Sequence, residues 1–231
     1  MRIPILMYHS ILNDHNLSVS IKSFEKQMNF MKRIGYETIN FNQLKNNNSK
    51  KKFIITFDDG YENIFSNAYP ILKKLGFTAT CFLIVNKIGH YNDWDEGNKN
   101  YKKMNLMNHN QINKLLNAGF EIGSHTLGHL DLTLLDKKNM IEQIIKSKEK
   151  LEKYFNIDIN SFAFPYGHYN NEIVGLLKNN YQFAVTTQSL IFDSSKSRYF
   201  EIPRISINSN TSIFKFMLKI FTNYKNFKFK G

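Results

Sequence analysis

Short apolar runs alternate with amphipathic segments along the whole chain, and this alternation limits the fold more than any other feature of the sequence. Residues 3–8 (Ile-Pro-Ile-Leu-Met-Tyr) read as a strand; Phe24, Met28, Met31 and Ile34 then mark one helical face that stops at Gly35. Residues 53–57 form a second strand, followed by Ala68, Ile71, Leu72 and Leu75 at helical spacing up to Gly76. Residues 77–85 are again strand-like. Ile112, Leu115 and Leu116 predict a helix closed by Gly119, with a strand at 120–123. A charged helix over 137–154, with Ile141, Ile144, Ile145 and Leu151 turned inward, precedes strands at 161–164 and 183–187 and a helix at 173–178. Strands that alternate with helices pack as a parallel sheet covered by helices, either a barrel or a doubly wound sheet. Segments 46–52 and 90–103 are polar and aperiodic, so they read as loops. The second is long enough to carry function.

Composition narrows the class. The chain has 231 residues, 42% hydrophobic and 14% aromatic, enough for one sizeable core and outside the disordered range. Its one cysteine, Cys81, excludes a disulfide framework and a cysteine-based zinc site. Cys81 lies in an apolar strand and is expected to be a buried, inert thiol. The net charge of +12 invites a nucleic-acid partner, but only Arg2, Arg33, Arg198 and Arg204 are arginines. Arginine is the residue suited to planar phosphate and base contacts, so no nucleic-acid partner is expected. No run of about 18 apolar residues exists to span a membrane. The apolar start is too short for a signal peptide and lacks a small-residue cleavage site, which predicts a cytoplasmic or peripheral-membrane location.

Polar groups gather at the carboxyl ends of the predicted strands. Residues 53–57 run straight into Asp58-Asp59-Gly60. Two adjacent carboxylates after an apolar strand are either a turn with a helix cap or a site awaiting a cation. Residues 120–123 run into Ser124-His125-Thr126-Leu127-Gly128-His129, where two histidines four apart can aim at one point. One aspartate and two histidines make three protein ligands with a position left open, the pattern of a catalytic zinc-type centre. The second carboxylate is then free to deprotonate water on the metal. A third strand end, Phe162-Ala163-Phe164-Pro165-Tyr166-Gly167, offers a rigid turn whose N–H groups can face an oxyanion while Tyr166 stacks on a sugar. His9 follows the first strand and can face the same mouth.

These three motifs, in this order and spacing, resemble the polysaccharide deacetylase family (the NodB homology domain, carbohydrate esterase family 4). The resemblance extends from about Ile3 to Ile207. Pro4-Ile5-Leu6-Met7-Tyr8-His9 and Ala68-Tyr69-Pro70-Ile71-Leu72-Lys73 are similar to the branch acting on poly-N-acetylglucosamine. The resemblance implies an α/β fold, a deformed (β/α) barrel in a single domain over 1–210, with 211–231 as a basic aromatic tail. It implies a metal-dependent N- or O-deacetylase; the expected reaction is removal of N-acetyl groups from an oligo- or polysaccharide with one divalent metal, zinc being the expected ion. Residue by residue, Asp58 matches the base, Asp59, His125 and His129 the metal ligands, and Pro165 and Tyr166 the substrate-binding turn.

The chain departs from the family pattern twice. Ala163 stands where the family often carries an arginine bonded to the base, and Arg204 is the candidate substitute. No histidine follows His168, so the family's carboxyl-terminal Leu-x-His acid is missing and His9 is the candidate replacement. Both departures keep open a second reading, a carbohydrate-binding homologue with weak or lost catalysis. In the tail, Phe214, Phe216, Met217, Leu218, Ile220 and Phe221 accompany Lys215 and Lys219. That segment is either a last helix packed on its neighbours or an interfacial helix touching an anionic membrane.

Overall fold

The computed structural model describes residues 2–13, 18–45, 51–97, 101–196 and 198–222. Parts of the predicted loops (46–50 and 98–100) and of the tail (223–231) lie outside the described residues. Seven strands carry the fold: β1 (Ile5–Tyr8), β2 (Lys52–Phe57), β3 (Thr80–Leu83), β4 (Glu121–Ser124), β5 (Ser161–Ala163), β6 (Phe183–Val185) and β7 (Ile205–Ser206). Six helices alternate with them: α1 (Ile21–Arg33), α2 (Tyr69–Leu75), α3 (His109–Asn117), α4 (Lys137–Phe155), α5 (Asn171–Lys178) and α6 (Ile213–Phe221). The sheet order is β6-β5-β4-β3-β2-β1-β7, parallel throughout, with the short strand Glu37–Thr38 added beside β2. It curls until the segment entering β7 meets β6. Ile202 donates its N–H to Ala184 and accepts one from Thr186, at 2.9 and 2.8 Å. The segment leading into the last strand therefore bridges the two edges of the curled sheet.

Period-two alternation separates two cores. Ile5, Ile54, Phe82, Ala163, Val185 and Ile202 share the inner cluster, while Leu6, Ile55, Cys81, Ile122 and Phe162 pack outward under the helices. Gly123 is required on the inner side: a Cβ there would stand 2.5 Å from the Phe82 ring. The helices start where side chains take up free N–H groups. Ser20, Asn108, Asp136, Asn170 and Ser212 cap α1, α3, α4, α5 and α6. Gly76 ends α2 in the left-handed conformation, as expected of a closing glycine.

Two local expectations change. The strand over 77–85 shortens to Thr80–Leu83, because residues 85–87 turn away in a 3-10 turn. Ile141 is exposed instead of inward. The buried stripe of α4 runs Met140, Ile144, Ser147, Leu151 and Phe155, which places Ile141 on the solvent flank. Ser147 enters the stripe because its hydroxyl is satisfied by Ser124 and the Ile144 carbonyl. Cys81 is buried, and burial pushes its thiol well above the ordinary value. Among the described residues no helix is long and apolar enough to cross a membrane.

The amino-terminal end of the barrel is plugged by Phe41, whose ring packs on Phe82 and Phe183. Beside it the Glu121 carboxylate is buried, accepting from the Ser161 hydroxyl at 2.8 Å and the Asn42 N–H at 3.4 Å. Burial pushes Glu121 up to about 7, against those hydrogen bonds. The folded state thus holds this proton at pH values where the unfolded chain has released it. Stability must fall between the ordinary glutamate value and about 7, by on the order of 3 kcal/mol. We expect Glu121→Gln to remove this contribution, so that its stability relative to wild type rises across pH 5 to about 7 in denaturant titrations. A constant difference over that window would contradict the assignment.

Candidate active site

The carboxyl ends of β1, β2, β4 and β5 open onto one mouth, as in other barrels of parallel strands. Asp58 leaves β2 still in register, donating its N–H to the Tyr8 carbonyl at 3.0 Å. Asp59 then turns into the left-handed region (φ 70°). Gly60 follows at φ 77°, in a space where a Cβ would sit 2.8 Å from Leu83. This turn sends the two carboxylates in different directions. Asp58 points into the barrel and Asp59 across the mouth.

Inside the barrel, Arg204 meets Asp58 through two parallel hydrogen bonds, Nη1 to Oδ1 at 2.6 Å and Nη2 to Oδ2 at 2.7 Å. Its Nη1 also donates to Thr56 Oγ1 and its Nε to the Thr186 carbonyl. The guanidinium lies over the Phe82 ring, 5.5 Å from its centroid, and the residue is fully buried. It comes from the segment leading into β7. Burial alone would raise Asp58, but the Arg204 charge and hydrogen bonds, aided by His125 and His9, hold it below the ordinary carboxylate value.

At the mouth, His125 and His129 bring their Nε2 atoms to 3.4 and 3.5 Å from Asp59 Oδ1. His125 donates Nδ1–H to the Ala163 carbonyl at 2.8 Å, which leaves Nε2 as the free lone pair. The turn between them is a tight loop, not a helix. Thr126 and His129 both have positive φ, and His129 N–H is held by Thr126 Oγ1 at 3.0 Å. Gly128 N–H is held by Gln143 of α4. Burial and repulsion from His125 and His9 pull His129 down to about 4, against the attraction of Asp59. His125 moves the other way: burial lowers it, but Asp59 and Asp58 outweigh that. Asp59 is buried as well, yet the histidines hold it far below the ordinary value. At neutral pH the mouth therefore holds two charged carboxylates and a neutral His129.

This donor set fits a divalent cation. The ligating atoms of Asp59, His125 and His129 lie within 4.8 Å of one another, all on buried residues. Neighbouring corners of a tetrahedron around an ion bonded at ~2.0–2.1 Å are ~3.3–3.4 Å apart, close to the Oδ1–Nε2 separations. Asp59 Oδ1 has no hydrogen-bond partner although it is buried, the state expected of an oxygen built to bind an ion.

The predicted neighbours assemble at the same mouth. His9 is half-buried after β1, near enough for its charge to act on Asp58, Asp59 and His129. Pro165 is buried and Tyr166, half exposed at φ 58°, lies edge-on to His129 with ring centroids 4.7 Å apart. Trp94 was not anticipated. It reaches in from the long loop to cover the other side of His129, 5.2 Å between rings. It is the chain's one tryptophan, set in Asn92-Asp93-Trp94-Asp95, and a lone tryptophan in a long polar loop was the available signal.

The family model for polysaccharide deacetylase matches residues 45–184, more than half of the chain and including both carboxylates and both histidines. The chain belongs to the polysaccharide deacetylase family. Over 194 residues it is 34% identical to YxkH of Bacillus subtilis strain 168, which carries a polysaccharide deacetylase name; this covers 81% of the chain and 65% of that relative. A Staphylococcus epidermidis poly-β-1,6-N-acetyl-D-glucosamine N-deacetylase is 29% identical over 210 residues, covering 84% of the chain and 70% of the relative. In structure the chain is similar to the Streptococcus pyogenes deacetylase PplD, solved with acetate. The TM-score is 0.82 at 27% identity, covering 95% of this chain and 98% of that one. Family membership agrees with the fold: a curled parallel sheet covered by helices is that of a polysaccharide deacetylase.

Breaking the buried pair leaves a lone charge. Arg204→Ala should cost on the order of 3–5 kcal/mol, read as a shift in denaturation midpoint at neutral pH. The double variant Arg204→Met/Asp58→Leu should recover most of that loss. A single-variant loss below about 1 kcal/mol would mean that solvent, not Arg204, compensates Asp58.

Proposed function

We propose that this chain is a metal-dependent deacetylase of an N-acetylated glycan, with poly-β-1,6-linked N-acetylglucosamine as the favoured substrate class. One observation carries the reading: a carboxylate fixed by a buried arginine stands directly beside an Asp-His-His cluster suited to a cation. A pure binding homologue gains nothing from holding Asp58 charged and aligned in the barrel interior. The Staphylococcus relative supports the choice of glycan.

Asp59, His125 and His129 would hold the ion, and zinc suits one carboxylate and two imidazoles. A bound divalent cation supplies Lewis-acid polarisation of the acetyl carbonyl and makes the attacking water more acidic. Asp58 acts as the base. Arg204 occupies one lone pair on each carboxylate oxygen, so another on each remains to receive the proton of water. The water oxygen bonds to the acetyl carbon, the carbon–nitrogen bond breaks, and acetate leaves. His9, whose charge reaches Asp58 and Asp59, would donate the proton that the departing amine nitrogen needs. Tyr166 and Trp94 offer aromatic faces to the sugar beside His129.

Acetate release from poly-β-1,6-N-acetylglucosamine oligomers and from chitooligosaccharides, with chelator and with zinc restored, tests the whole reading. We expect release that chelator abolishes and zinc recovers. His125→Ala should lose stoichiometric metal by elemental analysis while remaining folded. Asp58→Asn should keep the metal and lose about 10² to 10⁴ in rate. Near-normal turnover in Asp58→Asn, or unchanged metal in His125→Ala, would overturn these roles.

A further inference from the structure

Helix α6 is apolar nearly all the way round. Ile213, Phe214, Phe216, Met217, Leu218, Ile220 and Phe221 leave only Lys215 and Lys219 as polar members. A helix of that kind calls for cover on more than one side. The barrel covers one side only. Phe216 and Ile220 are buried against the fold, and Phe216 packs on Phe30 of α1. Phe214, Met217, Leu218 and Phe221, spaced i, i+3, i+4, i+7, form a second stripe that is half-buried at Met217 and Leu218 and most exposed at its ends. Phe214 is 64% exposed, and Phe221 is 51% exposed although its ring meets Phe30 edge-on. Of the eight exposed large hydrophobic side chains among the described residues, three (with Ile213) belong to this nine-residue helix.

The surroundings of the stripe are basic. A groove of about 600 Å³ between Ile213 and α1 is lined by Lys22, Lys26, Arg33 and Phe30, with Glu25 its one acid. Lys215 is exposed on α6 itself, and Arg33 lies over the Phe30 ring. We propose that the α1–α6 face docks on an anionic lipid bilayer surface, the stripe entering the headgroup boundary while the cations meet lipid charge. Charge decides between occupants. A second copy in a two-fold dimer would set these lysines and Arg33 against themselves. A soluble polyanion would satisfy the cations but leave the phenylalanines in water. An anionic bilayer satisfies both.

The test is co-flotation of the full chain with phosphatidylcholine vesicles, with and without phosphatidylglycerol. Binding is expected only to the anionic vesicles and should weaken as salt is raised. Phe214→Ser/Phe221→Ser and Lys22→Glu/Lys26→Glu should each lower partitioning by more than about tenfold. Both pairs lie on the surface, so circular dichroism and acetate release from a soluble oligomer should be unchanged. Wild-type-like flotation of the phenylalanine variant would overturn the proposal. So would sedimentation showing self-association that the same variant abolishes without any vesicle binding, or binding to soluble polyphosphate alone.

Discussion

The buried pair between Arg204 and Asp58 is the contact on which the site and the barrel closure both depend. Two charges in a dry interior are tolerated only when geometry and further hydrogen bonds compensate them, and here they do. Arg204 uses Thr56, the Thr186 carbonyl and the Phe82 ring in addition to the carboxylate. Gly123 lets the Phe82 ring settle beneath the guanidinium. Asp58 is thereby held as an anion in one orientation, and the mouth above it is organised around that fixed charge.

Backbone strain is concentrated at the same place. Among described residues other than glycine, six have positive φ, and four of these are Asp59, Thr126, His129 and Tyr166. Such conformations cost of order 1–3 kcal/mol each and persist only where surrounding bonds over-determine them. Thr126 Oγ1, Gln143 and the Leu83 carbonyl supply those bonds around the histidine turn. The strain turns side chains from three separate strand ends toward one mouth.

Much of this was legible in the sequence for physical reasons that can be named. Apolar runs ending abruptly in Asp58-Asp59 or His125 put expensive groups where only a site justifies them. The arginine partner could be narrowed to Arg204 because so few arginines exist. Trp94 escaped notice because its contact with His129 is made by a loop without periodicity. Glu121 escaped for a different reason: a glutamate at a strand start reads as exposed until the Phe41 turn is known to cover it. The inward placement of Ile141 failed because a four-residue apolar cluster fits two adjacent helical faces, and the buried Ser147 that selects between them has no hydrophobic signature.

Strand closure by the Arg204 segment also has a temporal side. Asp58 and its partner are separated by 146 residues, so the pairing cannot form on the ribosome before residue 204 has emerged. Until residue 204 has been added, Asp58 has no guanidinium to hold it and the ring of strands is open. The charged Asp58 carboxylate thus belongs to the completed sheet, and the proposed site is assembled in the same event that joins the sheet's two edges.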